Sequence, residues 1–211
     1  MLKSRSALEN YRAQPGVDGA DGQRALRLGE VAETRLVHVG IYPGCAARVA
    51  AEVLPVLGGR LPDSSVRAAA VGSHSIMRVA PDQYWVLSGE SGLDARLRSA
   101  ISPDAGSVTS LDGARTRLLV EGRPARVLLG RLVAIDLDPT VFPVGGFAQT
   151  GIHHVAGLLL RASEDRYEFF ALRTFAASTW EVLTDAARSF GYEIVVPQEP
   201  TLVLTSSLER E

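Results

Sequence analysis

Few side chains in this 211-residue sequence have the type and spacing that chemistry requires. His153 and His154 are adjacent, and imidazole is a common metal ligand. On the strand predicted here, adjacent side chains point to opposite faces, and no Cys or Asp lies at a ligand's spacing from the pair. A structural role is therefore favoured over a metal site. His38 and His74 are isolated in sequence, and half-buried structural histidines are expected there.

Two carboxylates, Asp136 and Asp138, could lie on one side of a strand, as magnesium sites and acid/base pairs require. Because Pro139 follows directly, turn-forming aspartates are the favoured interpretation. Cys45 lies at a predicted helix N-terminus, where the helix dipole favours a thiolate, but no adjacent basic residue supports a nucleophile. A small buried side chain is predicted at that position.

The sequence contains none of the common motifs for phosphate or acyl chemistry. Both the Walker loop and the pattern G-x-G-x-x-G are absent, and Gly145-Gly146 precedes a predicted strand, whereas a phosphate site needs a helix N-terminus. The nucleophile turn G-x-S-x-G is absent as well. Lys3 is the only lysine, which effectively excludes lysine-based covalent catalysis. The prediction is that this chain carries no catalytic, cofactor-binding or metal-binding residue.

Part of the sequence occurs twice at a nearly constant offset. The segment Thr34–Gly40 matches Thr116–Gly122 with an offset of 116 − 34 = 82. The matching polar residues farther on are Arg78, Asp82 and Tyr84 with Arg161, Asp165 and Tyr167. Two independent matches indicate a duplicated unit, in which two similar apolar faces are expected to bury each other. Because each polar set flanks a predicted turn between strands, hairpin scaffolding is favoured over ligand binding.

Hydrophobic periodicity gives each repeat the order strand, helix, three strands, helix. The predicted strands cover 34–41, 66–71, 75–79, 83–87, 115–121, 147–153, 155–161, 167–172 and 192–196, and the predicted helices cover 46–57, 93–101, 125–132 and 174–190. The fold class is therefore α+β, with duplicated β-α-β-β-β-α units and mostly antiparallel sheets. The predicted divisions are an extended arm (1–29), a first unit (30–104), a second unit (105–197) fused to it in one body, and a C-terminal tail (198–211).

Composition excludes several classes of partner. With 22 basic and 24 acidic residues, the net charge of −2 gives no reason to expect nucleic acid or an anionic membrane. No apolar run reaches the roughly 18 residues of a membrane span. A single cysteine and a polar N-terminus without a signal peptide favour a cytoplasmic location. The arm, including Tyr11, and the tail around Leu202–Leu204 are expected to become ordered only in a complex.

Several short motifs resemble the γ subunit of heterotetrameric sarcosine oxidase, over about residues 30–196. F-P-x-G followed by A-Q-T is the more specific part of the resemblance. The residues that carry it are Thr116–Val120, Asp136–Pro139, Val141–Gly145, Ala148–Thr150, Arg173, Phe175 and Trp180.

The resemblance implies a non-catalytic accessory subunit of a bacterial complex with α, β and δ subunits. That complex oxidatively demethylates sarcosine to glycine and forms hydrogen peroxide, with formaldehyde or 5,10-methylenetetrahydrofolate as the other product. FAD, FMN, NAD, tetrahydrofolate and zinc are expected on the other subunits, and no cofactor is expected in this chain.

The same resemblance extends to the fold of the folate-binding domain of the glycine-cleavage T protein, itself a duplicated α+β body. Those transferases carry an acidic pair just ahead of the strand that here runs Gly157–Leu160, whereas this chain has no carboxylate from Pro139 to Ser163. The missing acid favours a packing module. Two alternatives stay open: a folate-dependent one-carbon transferase or folate-binding module acting on its own, and a binding module in which Arg78 and Arg161 hold a ligand carboxylate.

Overall fold

A strand, a helix, three strands and a second helix follow one another twice in the computed structural model of this chain, which describes residues 6–31 and 35–197. The strands are β1 (Leu26–Glu30), β2 (Arg35–Ile41), β3 (Ala69–Val71), β4 (His74–Ala80), β5 (Gln83–Ser88), β6 (Gly106–Ser110), β7 (Arg115–Glu121), β8 (Phe147–Ile152), β9 (Val155–Ser163), β10 (Arg166–Leu172) and β11 (Tyr192–Val195). The α-helices are α1 (Ala46–Leu57), α2 (Leu93–Ala100), α3 (Ala125–Gly130) and α4 (Ala176–Ala187).

The first unit comprises described residues 35–112. Its antiparallel sheet has the order β3-β4-β5-β2-β6. In α1, Val49, Val53 and Leu57 are buried at spacings of four residues, so they share one face of the helix. That face packs with residues of β2, β5 and α2 in one apolar core. The helix ends at Gly58, whose φ of 73° is the left-handed conformation that glycine adopts without strain.

The second unit comprises described residues 6–31 and 113–197. Its sheet has the order β11-β1-β7-β10-β9-β8, in which β8-β9-β10-β7 repeats the order β3-β4-β5-β2 of the first unit. The difference is β1, which lies between β7 and β11, antiparallel to the former and parallel to the latter. The fold class, a mixture of α and β with mostly antiparallel sheets, is therefore as predicted.

The N-terminal segment belongs to the second unit, which differs from the predicted arm of residues 1–29. Leu26 and Leu28 are fully buried in the core, and Leu8 is 1% exposed. The carboxylate of Glu30 accepts hydrogen bonds from the Ser6 hydroxyl, the Leu8 N–H and the Arg12 guanidinium. A polar segment without a core of its own therefore becomes ordered on its own chain by using the core of the second unit.

Tyr11 also contacts the second unit, since its hydroxyl donates to a carboxylate oxygen of Glu181 in α4 at 2.9 Å. Tyr11 therefore packs on its own chain, and its ordering only in a complex stays a prediction. The tail, 198–211, with its apolar run Leu202–Leu204, lies outside the described residues.

The boundary between the units also differs from the predicted one at residue 104. Strand β6 was missed, because G-S-V-T-S contains a single strongly apolar residue and therefore no strand periodicity. It pairs with β2 and closes the first unit at residue 112. That the two units form one fused body stays a prediction. Residues 6–31 and 35–197 include no helix with the length and hydrophobicity of a transmembrane segment.

Replacement of Leu28 by Ala tests the reassignment of the N-terminal segment. Because Leu28 is fully buried, we expect the free energy of unfolding to fall by about 2–5 kcal/mol in denaturant titrations of the full chain. The control is Gln14→Ala, an exposed side chain of the same segment, which we expect to change stability by at most about 0.5 kcal/mol. Equal stability of the two variants would show that the segment is an arm after all.

Candidate functional site

Two arginines at matching positions of the repeats hold the hairpins of both units. The Nε and Nη2 atoms of Arg161 donate to the carbonyl of Glu164 at 3.3 and 2.9 Å, and its Nη1 donates to the carbonyl of Phe142 at 2.9 Å. In the first unit, Nε and Nη2 of Arg78 donate to the carbonyl of Pro81 at 2.9 and 2.6 Å, and its Nη1 donates to that of Asp63 at 3.1 Å. Each guanidinium thus crosses the turn of its own hairpin and reaches an earlier loop.

The aspartates and tyrosines of the two sets complete this arrangement. The carbonyl of Asp82 accepts from the Ile41 N–H at 2.8 Å, as that of Asp165 accepts from the Gly122 N–H at 2.9 Å. Tyr84 and Tyr167 lie opposite Arg78 and Arg161 across their hairpins, and burial raises the pKa of both phenols. The recurring residues therefore scaffold the hairpins, as predicted.

The loop that follows α3 is built by its own aspartates. Asp136 Oδ1 accepts from the Asp138 N–H at 2.8 Å, and Asp138 Oδ1 accepts from the N–H and hydroxyl of Thr140 at 2.9 and 2.6 Å. The hydrogen bonds from Thr140 lower the pKa of Asp138. The predicted turn role of the pair is thus observed, while Leu137 and Phe142 anchor the loop in the core.

The two glycines after this loop fit it against β9. Gly145 has a φ of 81°, and its N–H donates to the carbonyl of Arg161 at 2.8 Å. A Cβ on Gly146 would lie 2.7 Å from the carbonyl oxygen of Pro143, closer than a side chain tolerates. The F-P-V-G-G sequence is therefore explained by loop geometry, with Arg161 as its support.

His153 and His154 form the two-residue turn between β8 and β9, which corrects their placement on a strand. His153 has a φ of 54°, and the ring centroids are 4.0 Å apart, so the two side chains do not point to opposite faces. Chain reversal between Ile152 and Val155 requires both residues. Within residues 6–31 and 35–197, no group of three or more His, Cys, Asp and Glu could hold a metal ion.

His74 and Cys45 are held in local structural contacts. His74 is buried with its Nδ1 3.0 Å from the hydroxyl oxygen of Ser88, and burial lowers the pKa of its imidazole. Cys45 is half-buried, in contrast to the predicted buried side chain, and its Sγ donates weakly to the carbonyl of Pro43 at 3.8 Å. Its position just before α1 leaves one side in solvent.

A buried ion pair in the second unit was not predicted. Arg117 and Glu168 are 1% and 0% exposed, and Nη2 and Nε of Arg117 lie 2.5 and 2.6 Å from one oxygen of Glu168. The other carboxylate oxygen accepts from Arg166 at 3.0 and 3.1 Å. Burial lowers the pKa of Arg117. Its repeat counterpart, Arg35, pairs with Asp112 at 3.5 Å with its side chain 39% exposed, so the repeat itself gave no sign of burial.

Two surface cavities lie elsewhere in the units. One, of about 550 Å³, lies between α1 and α2 and is lined by Pro55, Val56, Ala95, Arg96, Ser99 and Ala100. The other, of about 510 Å³, lies between residues 6–10 and the start of α4. Neither is lined by residues 139–163. The side chains with possible chemistry thus serve turns, hairpins and ion pairs. The hydroxyl of Ser88 and the imidazole of His74 are in contact, but both residues are buried.

Comparison with known proteins supports the resemblance found in the sequence. The sequence model of the family described as "Sarcosine oxidase, gamma subunit family" matches residues 44–189. The sarcosine oxidase subunit gamma of Corynebacterium sp. (strain U-96) is 28% identical over 171 residues, which are 80% of this chain and 82% of that protein.

Two solved structures have the same fold. The heterotetrameric sarcosine oxidase of Corynebacterium sp. U-96, in complex with pyrrole 2-carboxylate, contains a chain that matches with a TM-score of 0.78 and 25% identity, covering 88% of this chain and 95% of that chain. The glycine cleavage system aminomethyltransferase T of Bartonella henselae matches with a TM-score of 0.58 and 16% identity, covering 82% of this chain and 48% of that one. The second likeness concerns the fold alone.

Replacement of Arg161 by Lys tests the hairpin role. A lysine cannot reach two carbonyls with a planar fork, so we expect the free energy of unfolding to fall by about 2–4 kcal/mol. The matched variant Arg78→Lys should lose less than half as much, because the hydrogen bonds of Arg78 lie in solvent. Denaturant titration measures both. An Arg161→Lys variant as stable as the natural chain would contradict the role.

Proposed function

Because this chain belongs to the sarcosine oxidase, gamma subunit family, we propose that it is the non-catalytic γ subunit of a heterotetrameric sarcosine oxidase. Its partners are then the α, β and δ subunits. The complex converts sarcosine, water and O2 into glycine, formaldehyde and H2O2, or delivers the one-carbon unit to tetrahydrofolate as 5,10-methylenetetrahydrofolate. A cytoplasmic location, without nucleic acid or membrane, is part of the proposal.

The observation that carries this proposal is the extent of the match. Residues 44–189 span most of the first unit and most of the second, so the family likeness covers the duplicated body and not one motif. The structural match covers 95% of a chain of the heterotetramer, which leaves little of that chain without a counterpart here. A protein that matches one chain of a four-chain enzyme over nearly its whole length is expected to have the same position in its own complex.

The local structure supports a non-catalytic role. The guanidinium groups of Arg78 and Arg161 donate to backbone carbonyls, and the carboxylates of Asp136 and Asp138 accept backbone hydrogen bonds. In line with the family resemblance, we assign FAD, FMN, NAD, tetrahydrofolate and zinc to the other subunits.

A folate-dependent transferase or folate-binding module acting alone is the second candidate, since the fold resembles that of aminomethyltransferase T. The residues present do not fit that activity. No carboxylate lies between Pro139 and Ser163, and Leu158, Leu159 and Leu160 of β9 are each at most 1% exposed. This stretch has no carboxylate that could hold or protonate a pterin, so no folate step is assigned to this chain.

Co-expression of the four subunits, with the affinity tag on a subunit other than γ, tests the proposal. We expect this chain to co-purify in equal amount, and omission of it to give an unstable or inactive assembly. Purified alone, the chain should produce no H2O2 from sarcosine. Recovery of a stable, fully active assembly without it would refute the accessory role.

Tetrahydrofolate titration of the isolated chain separates the two candidates. Trp85 and Trp180 are 9% and 2% exposed, so their fluorescence reports on changes in the cores of the two units. The accessory role predicts constant emission. A saturable change would favour the folate-dependent alternative.

A further inference from the structure

The two sheets differ at one edge, although the rest of their strand order repeats. In the second unit, β1 carries β11 on the side away from β7, and the far side of β11 is covered by Val17, whose N–H donates to the carbonyl of Tyr192 at 2.8 Å. In the first unit, β6 takes the place of β1, and no described strand lies on its outer side. The edges at β3 and β8 match, so among the described strands β6 is the one without the neighbour that its counterpart has.

The core side chains of β6 and β1 show the effect of this difference. Matching residues are found by reading across each sheet from the repeated tyrosine. They are Tyr84, Val39 and Val108 in the first unit, and Tyr167, Val120 and Leu28 in the second. Leu28 has Ile194 of β11 beside it and is fully buried, whereas Val108 packs on the core of the first unit and is only half-buried. A further strand beside β6 would cover Val108 as β11 covers Leu28.

The backbone of β6 directs hydrogen-bonding groups to the same side. Just beyond the strand, the N–H of Leu111 donates to the carbonyl of Leu36 at 2.7 Å. Because hydrogen-bonded pairs alternate along an antiparallel ladder, the N–H and C=O groups of Val108 and Ser110 point away from β2. The sequence of β6, G-S-V-T-S, carries no charge that would discourage pairing. An open, uncharged edge of this kind favours the addition of a strand.

Residues 201–205, which lie outside the described residues, have the sequence of a strand. They read T-L-V-L-T, a run of β-branched and apolar residues that is as long as β6. In an extended conformation, Leu202 and Leu204 share one face. This segment therefore offers both the backbone groups and the apolar side chains that the outer side of β6 lacks.

The described end of the chain lies close enough for this segment to reach β6. Val195 lies beside Gly29, which pairs with Leu119 of β7. Two strand spacings and four residues along β7 place Arg115 about 16 Å from Val195. From Arg115 back to Ser110, five residues that include a turn span at most about 17 Å. Because residue 205 can extend about 35 Å from Val195, the segment can reach the end of β6.

We propose that residues 201–205 of this chain pair with the outer edge of β6, with Leu202 and Leu204 on the face of the sheet that carries Val108. The tail then completes the first sheet as β11 completes the second. Attachment to the same chain raises the effective concentration of this strand above that of any separate partner. The inference goes beyond the proposed function and does not depend on it. It replaces the expectation that the tail becomes ordered only in a complex.

Amide hydrogen exchange of the isolated full-length chain, with and without Leu202→Pro/Val203→Pro, tests the pairing. One of two adjacent residues must direct its N–H to β6, and proline removes that donor. We expect the amides of Val108 and Ser110 to exchange at least about tenfold faster in the variant, because their partners are lost. The amide of Thr109 faces β2 and serves as the internal reference. The matched control Ser207→Pro/Leu208→Pro lies beyond the segment and should exchange like the natural chain.

Deletion of residues 198–211 gives a second comparison, with deletion of 206–211 as its control. Only the longer deletion should accelerate exchange at Val108 and Ser110. Equal rates in the natural chain and both test variants, or the same acceleration in the controls, would overturn the inference. Protection that rises with protein concentration would show instead that a second copy supplies the strand. Protection that develops only in the assembled complex would restore the expectation that the tail needs a partner, and would equally overturn the inference.

Discussion

A buried guanidinium group must have its N–H donors satisfied, and backbone carbonyls satisfy those of Arg161. Arg161 is 5% exposed and joins three parts of the second unit: its own strand β9, the turn at Glu164, and the loop carbonyl of Phe142. The loop can expose Val141 because Phe142 is fixed beneath it. The position of the loop that carries Phe142 therefore depends on this one side chain.

The hydrogen bonds of the hairpin arginine also occur in the first unit. Arg78 repeats all three hydrogen bonds of Arg161, although its surroundings are more exposed. Elsewhere the units differ. Arg35 forms a partly exposed pair with Asp112, whereas Arg117 forms a buried pair with Glu168. A buried ion pair needs excellent geometry and further hydrogen bonds to offset the loss of hydration. The second carboxylate oxygen of Glu168 accepts such a hydrogen bond from Arg166. The two units thus share the hydrogen bonds of the hairpin arginine but differ in whether their ion pair is buried.

Local patterns in the sequence predicted most of the helices and strands, because periodicity reports which side of an element is buried. The predicted helix over 46–57 and strand over 115–121 agree with the structure at both ends. Strands β1 and β6 were missed, since five residues with few apolar side chains carry too little periodic signal. The pair of Arg117 and Glu168 could not be predicted either: 51 residues separate them, and only the sheet register brings them together. The turn at His153 and His154 was assigned to a strand. Because it contains no glycine, the local sequence does not distinguish this two-residue turn from an extended strand.

Membership of the γ subunit family and the structural use of the polar side chains lead to one central claim, that this chain supplies no reacting group to the enzyme. The most direct measurement is the turnover of sarcosine, per flavin, by the assembled complex carrying Cys45→Ser, His153→Asn and His154→Gln together. Among the described residues, these are the half-buried thiol and the exposed imidazoles, which are side chains that could take part in a reaction. The account predicts an unchanged kcat with assembly intact. A loss of about a hundredfold or more in a fully assembled complex, the size expected when a catalytic acid or base is removed, would contradict it.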